Sequence, residues 1–549
     1  MSKSPNRWIG LVFISLAISL VIIDGTIVNT IFPNIIQELH LSSAQVQWVQ
    51  ESYVLVFASL LIVWGSISDR FGRRRILIIG IAIFAFASIW AGYATDDTTL
   101  ILARIEQGIG GAMVLPTTLS LVNANFHGKE RGIAFAVWGS TIGGMVAVGP
   151  VLGGWLATDF TWRFAFFINV PLGILILIGL LIFVRESKSE EVFGRIDFVG
   201  AGISIVMFAT LVFGLIEGRN FGWWTVNVTR QFEIFGWKWA KEGISVIPIV
   251  LAISLIAFAA FFVWTRKRAA AGQSVLFDLS LFKLSSFRNG SIAALIISMG
   301  EFGLIFALPL WLQNILGLSA VESGLILLWL AGGAFVASAL GGALNGKLSS
   351  VNSIRIGVLL EIVGVAGIAY VASTATGMAS LAPFLAIYGI GVGMATAQLT
   401  GVIMVDIDTD KAGQASGLQS TVRQVGSALG IAILGTTLFA SGHYSIQHRV
   451  MEIPSLQSIG ANALPAFSDQ IANIVIETSA ASIPALEQQL KSFGAPDETV
   501  VAVTASAREG FTDGVRATGW AGAFLLLLGL ASTFSLRSKT KRKEDVEIS

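Results

Sequence analysis

The chain has 549 residues, 54% of them hydrophobic and 13% charged, whereas a soluble domain carries about 25% charged residues, so it lacks the polar surface to cover itself in water. Its 35 basic and 34 acidic residues leave a net charge of +1, which gives no electrostatic footprint for a nucleic-acid partner. With no cysteine and four histidines, disulfides, thiol catalysis and cysteine metal sites are excluded and histidine metal sites have little material, so no cofactor and no metal are expected.

Apolar stretches of about 20 residues, the length that crosses a bilayer, recur along almost the whole chain. They predict fourteen spans, near 8–32, 45–66, 76–94, 99–124, 131–155, 164–184, 196–216, 244–265, 289–314, 321–345, 354–373, 379–405, 416–440 and 517–536. Each is helical, because hydrocarbon offers backbone groups no other partner. The fold class is an all-α polytopic membrane protein. The first run continues to about residue 32 with no small-residue cleavage pattern, so it reads as a retained span.

The loops after even-numbered spans carry Arg70, Arg73, Arg74 and Arg75; Lys129 and Arg131; Arg185, Lys188 and Arg195; Arg266, Lys267 and Arg268; and Lys347. The loops after spans 1, 3, 9 and 11 carry no Lys or Arg. The positive-inside rule therefore predicts both termini in the cytoplasm, and the basic tail Arg537–Lys543 agrees. Residues 185–195 read as a charged link leading to an inserted pair, spans 7 and 8. Residues 217–243 read as an aromatic-rich outer loop at the membrane interface. Residues 442–516 read as a long external loop with a helical stretch near Ile483–Phe493, either a helical hairpin over the outer mouth or a partly disordered segment.

Between spans 2 and 3 stands Gly65-Ser-Ile-Ser-Asp69-Arg70-Phe-Gly72-Arg73-Arg74-Arg75. It resembles the cytoplasmic loop motif G-x-L-x-D-R-x-G-R-[RK] of the major facilitator superfamily, and Gly342-Ala-Leu-Asn345-Gly-Lys347 echoes it where a duplicated half would repeat the loop. Gly149-Pro150-Val-Leu-Gly153-Gly154 in span 5 resembles the G-P-x-x-G-G motif of drug:proton antiporters, physically a small-residue packing face with a proline kink. Asp24-Gly-Thr-Ile-Val-Asn29-Thr-Ile-Phe-Pro33, Arg104-Ile-Glu-Gln107-Gly-Ile-Gly110 and Arg423-Gln-Val-Gly426 are similar to patterns of the fourteen-span, QacA/EmrB-like branch. Ile31, Phe32 and Glu106 depart from those patterns.

The resemblance implies two six-helix bundles plus an inserted pair, with residues 1–185, 186–270 and 271–549 as the units, and alternating-access export driven by protons rather than an enzyme activity. It implies an inner-membrane monomer whose partners are protons, a small molecule and lipid. It also implies a proton-carrying role for Asp24 and a conformational switch at Gly65, Asp69, Arg70, Gly72 and Arg73.

Helix rise puts Asp24 roughly 24 Å from the cytoplasmic face, with Arg104 roughly 8 Å and Glu51 roughly 9 Å deep from outside, so the three can share one layer. Glu301 falls near the midplane and Glu361 roughly 9 Å from the inner face, where it is expected to snorkel or pair with a cytoplasmic Arg. Arg423 is expected at the inner interface, because the apolar run begins only at Val425. A charge facing lipid costs about 3 kcal/mol or more, so these groups face protein or a wet cavity. Asp24 and Arg104 are the expected coupling pair. Glu51, Glu301, Phe302 and Trp311 are expected to line the substrate cavity, with Trp64, Phe306 and Met394 as further walls. Acids in such a cavity favour lipophilic cations. The alternative is a proton-coupled carrier of one metabolite, such as an amino acid, a siderophore or an anionic natural product. No G-x-x-x-x-G-K-[ST] loop occurs, which argues against direct ATP use by that type of site.

Overall fold

A computed structural model describes residues 7–41, 43–189, 196–227, 232–234, 237–344, 348–460 and 463–536. Arg195, Asn345, Lys347 and the basic tail fall outside the described residues. The first half contains α1 (Arg7–Leu39), α2 (Ser43–Phe71), α3 (Arg73–Gly92), α4 (Asp97–Asn125), α5 (Gly128–Asp159), α6 (Phe164–Phe167) and α7 (Asn169–Phe183). Then come α8 (Phe198–Phe221), a two-residue hairpin of β1 (Glu233–Ile234) and β2 (Trp237–Lys238), and α9 (Val246–Ala270). The second half contains α10 (Ser285–Asn314), α11 (Ala320–Leu344), α12 (Ser350–Val371), α13 (Met378–Ile403), α14 (Ala412–Met451), α15 (Leu464–Glu477), α16 (Ile483–Ser492) and α17 (Asp497–Ser532).

Twelve helices among the described residues are long and apolar enough to cross a membrane, so the chain is a multi-pass membrane protein. The expected count of fourteen is not reached by this measure. α4 and α5 have the length, at 29 and 32 residues, and in α4 polar residues such as Arg104, Glu106 and Gln107 dilute the hydropathy. Large apolar side chains stand exposed along α7, α9 and α17, among them Ile178, Leu181, Leu255, Phe258, Phe524 and Leu527, as a lipid-facing surface requires.

The first and last described residues reach the same face. There Arg7 pairs with Glu130 at 2.5 Å, Asn289 donates to the Ser535 carbonyl at 3.0 Å, and Arg131 donates to the Met404 carbonyl. The inserted α8 and α9 pack on each other, and α8 also lies against α2 and α14. Trp48 and Phe232 flank Phe213, so the aromatic loop folds back on α8.

One expectation holds and one is sharpened. Span 6 is one span, Phe164–Phe183, with a single turn residue in helical conformation, Ile168, between α6 and α7, where Pro171 has no N–H for a carbonyl one turn back. The predicted external loop 442–516 is largely helical. α14 has 40 residues, roughly 60 Å, twice a hydrocarbon core of about 30 Å. It continues beside α17, where Arg449 meets Asp513 at 2.9 Å, and α15 and α16 pack against this pair. Hydropathy stopped span 13 near residue 440, but protein contacts carry the helix on to Met451.

Candidate functional site

Asp24 is fully buried in α1, and four helices converge on it. Its Oδ2 meets Arg104 Nη1 of α4 at 2.5 Å. Its Oδ1 accepts from Asn169 Nδ2 of α7 at 2.8 Å and from Gln107 Nε2 of α4 at 3.1 Å. Arg104 donates further to Gln107 Oε1 at 2.9 Å, to Gln50 Oε1 at 3.3 Å and to the Val49 carbonyl at 3.1 Å. Its guanidinium lies 4.2 Å from the centre of the Tyr53 ring. Ser88 Oγ of α3 accepts from Gln107 at 2.8 Å and from Asn169 at 3.2 Å, closing the network. Such charge-assisted bonds are about twice as strong as neutral ones. They compensate for two buried charges, which would otherwise be strongly destabilising.

The sequence reading found Asp24 and Arg104 and placed them in one layer, as the structure does. It quoted Gln107 without assigning it a role and missed Asn169. The signal for Asn169 was available: it is a polar residue in the apolar run of span 6, the same anomaly that marks Asp24. Asn169 lies in the first turn of α7, from which its amide reaches Asp24. In α2 it is Gln50 that reaches Arg104; the neighbouring Glu51 is half-buried.

Two packed faces frame this network. A Cβ on Gly149 would stand 1.9 Å from Thr26 Oγ1, and one on Gly153 would stand 2.1 Å from Thr30 Oγ1. These glycines therefore press α5 onto α1 just past Asp24. Gly154 faces the other way, against Val321 of α11, and Pro150 lies inside the helix between the two contacts.

At the terminal face the motif loop ties the halves together. Asp69 accepts from Arg73 Nη2 at 2.6 Å and from the backbone N–H groups of Gly413 and Gln414 at 2.7 and 2.9 Å. The carboxylate thus sits on the N-terminus of α14, where unpaired N–H groups and the helix dipole favour an anion. Arg73 also donates to the Thr409 carbonyl and to Ser187 Oγ at 2.8 Å. A Cβ on Gly65 would meet the Gly413 carbonyl at 2.4 Å, so only glycine lets α2 and α14 cross so closely. Gly72 has φ +108°, and the Glu186 carboxylate beside it accepts from the N–H groups of Arg74 and Arg75. Arg70 lies outside this latch: it is exposed, its nearest aromatic being Phe71 at 6.0 Å. Beside the latch Lys411 meets Asp278 at 2.6 Å. Partial burial pushes the Asp278 carboxyl up, but Lys411 and the Ser280 N–H outweigh it and hold the group below its ordinary range.

The second half holds a cluster that the sequence reading dispersed. Glu301 of α10 is 2% exposed and pairs with Arg423 Nη2 at 3.6 Å. Thr396 Oγ1 of α13 donates to Glu301 at 3.3 Å and accepts from Arg423 at 3.4 Å. The Tyr388 hydroxyl donates to the Glu301 backbone carbonyl at 2.8 Å. Arg423 is therefore not at the interface. α14 begins at Ala412, which puts Arg423 roughly 17 Å along the helix. Glu361 does not snorkel either, since α12 begins at Ser350 and the side chain is fully buried near its midpoint. Trp311 is no cavity wall: it is fully buried and donates its indole N–H to Thr512 of α17 at 3.3 Å. Phe302, Phe306 and Trp64 are half-buried and Met394 is buried.

The helical architecture and the buried ion pairs fit a membrane transporter. The family model of the Major Facilitator Superfamily matches residues 14–226 and 198–431, more than half of the chain. The chain belongs to that superfamily. It is 30% identical to the tetracenomycin C resistance and export protein of Streptomyces glaucescens, over 78% of this chain and 76% of that protein. It is 32% identical to the puromycin resistance protein of Streptomyces alboniger, over 79% and 82% of the two chains. Among solved structures a human organic anion transporter shares the fold, with a TM-score of 0.59 and 12% identity over 97% of this chain and all of the other.

Proposed function

We propose that the chain is a proton-coupled exporter of lipophilic drugs working by alternating access in the inner membrane. The observation that carries the reading is the buried Asp24–Arg104 pair with Gln107 and Asn169 around it. A carboxylate held by a cation and two amides can take a proton only when those partners move. A rocking bundle therefore couples that proton to the side on which the site opens. Relatives named for resistance to, or export of, tetracenomycin C and puromycin support drugs as the cargo. Because Arg423 matches the charge of Glu301, the acids no longer argue for cations alone. Lipophilicity, not charge sign, is the property this reading commits to.

The finer topology belongs to the same reading. α4 runs from Asp97, bonded to Gln45 at the start of α2, to Phe126, which packs on Trp8 at the start of α1. α5 runs from Glu130, paired with Arg7, to Gly154, packed on the start of α11. Both therefore traverse the bundle, which supports fourteen spans, the QacA/EmrB-like branch and the division at residues 1–185, 186–270 and 271–549. With the positive-inside rule, the terminal face is cytoplasmic. The Asp69–Arg73 latch then holds the cytoplasmic side shut and opens in the other half of the cycle.

Asp24→Asn tests the reading. In vesicles energised by a pH gradient, the wild type accumulates ethidium and the variant, at equal expression, does not. Undiminished uphill transport by Asp24→Asn rejects Asp24 as the coupling acid.

A further inference from the structure

In the second half two acids lie near one guanidinium, which contacts only one of them. Glu361 is fully buried, and neither carboxyl oxygen has a hydrogen-bond partner among the described residues. Its stem is seated on Gly391 of α13, whose Cβ position lies 2.7 Å from Glu361 Cγ. The groups that face it are already engaged. From α10, Glu301 adds like charge; from α14, Arg423 is on Glu301 and Thr396; from α13, the Tyr388 hydroxyl is on the Glu301 carbonyl. α17 also packs on α12, but from Ala517 to Ser532 it carries no charged residue.

A bare carboxylate in such a place bears its whole desolvation penalty, and a second carboxylate nearby adds repulsion. The neutral acid avoids both. Arg423 stands at the margin of the cluster, 16% exposed, so it is the member with room to move.

We propose that Glu361 is a second proton-carrying site, loaded in the conformation described here and unloaded when Arg423 swings from Glu301 towards it. In that step the carboxyl O–H bond breaks, the proton leaves to water entering beside Arg423, the guanidinium becomes the counter-ion of the new carboxylate, and Glu301 keeps its bond from Thr396 and is solvated by the same entering water. The proposal rests on the exporter reading and adds a stoichiometry to it: Asp24 and Glu361 together carry two protons per cycle. Two protons exchanged for one monovalent cation move one net charge. A potential of about 100 mV then sustains roughly a 50-fold gradient of that cation, whereas one-for-one exchange sustains none.

Two measurements on the purified full chain test this. Infrared difference spectra in lipid are expected to show a protonated glutamate carboxyl that Glu361→Gln removes. In vesicles with a potassium diffusion potential and no pH gradient, wild type is expected to build an ethidium gradient of up to about 50-fold and Glu361→Gln about 1-fold, while both still respond to a pH gradient. A spectrum unchanged by Glu361→Gln overturns the site. A potential-driven gradient equal to wild type overturns its role in coupling. Glu361→Asp, which keeps a carboxyl but shifts its band, assigns it independently, so a Glu361→Gln variant that fails to fold leaves the site testable. A wild type that shows the band but moves no ethidium under either gradient counts against the exporter reading, not against the protonated site.

Discussion

The two halves of the molecule bury acids in opposite ways. In the first, both oxygens of Asp24 are bonded, by Arg104, Gln107 and Asn169, and Arg104 is itself saturated by Gln50, the Val49 carbonyl and the Tyr53 ring. In the second, one partly exposed Arg423 stands 3.6 Å from Glu301, and Glu361 has no hydrogen bond among the described residues. The first arrangement holds a charge and the second suits a neutral acid. The difference lies in the number of polar partners that the surrounding helices bring, since all three carboxyls are buried.

The largest expected effect comes from removing the two arginines in turn. Arg104→Ala leaves Asp24 buried without its counter-ion, which costs about 3–5 kcal/mol in comparable buried pairs. Arg423→Ala leaves Glu301 buried with only Thr396, but it breaks a longer contact, 3.6 Å, made by a partly exposed guanidinium, so it is expected to cost less than Arg104→Ala, about 3 kcal/mol or less. Thermal unfolding of both variants in the same lipid–detergent mixture reads the contrast. Equal losses would mean that the two sites are electrostatically alike.

The neutral partners give a smaller version of the same comparison. Asn169→Leu removes a bond to an ionised oxygen and is expected to destabilise by about 1.5–3 kcal/mol. Thr396→Val removes a hydroxyl whose bonds to Glu301 and Arg423 are longer, 3.3 and 3.4 Å, and is expected to lose about 1.5 kcal/mol or less. The order of the two midpoints is the check, and a greater loss for Thr396→Val would show Glu301 to be the more tightly held charge.

The last comparison is at the latch. Asp69→Asn keeps the shape but removes the anion from the start of α14 and from the buried Arg73 guanidinium. Its consequence is conformational. Because the chain has no cysteine, Ser416→Cys gives a single thiol at the buried α2–α14 crossing. Labelling of that thiol by a maleimide from the terminal face is expected to speed up in the Asp69→Asn background. An unchanged rate would show that the close crossing at Gly65 and Gly413, rather than the charge, keeps that face shut.

Much of this was legible in the chain. A charge within an apolar run is costly wherever it lies, so Asp24 and Arg104 announced themselves, and counting helix rise from opposite ends placed them in one layer. The spacing of Gly65, Asp69, Gly72 and Arg73 marked the latch, and Gly149 and Gly153 the close face of α5. Tertiary structure decided the rest, because hydropathy treats lipid as the surroundings of every helix. The start of α14, from Ala412 to Gln424, is polar, and the apolar run begins only at Val425, so its lower turns were read as lying at the inner interface, yet they are buried in protein from Ala412 to Thr421. That misreading put Arg423 at an interface, and a late start for α12 put Glu361 near one. The same assumption hid Asn169, a polar residue whose partner Asp24 lies on another helix. What a helix meets on each face, protein or lipid, fixes both its true ends and the partners of its polar residues, and that is settled only when the helices pack.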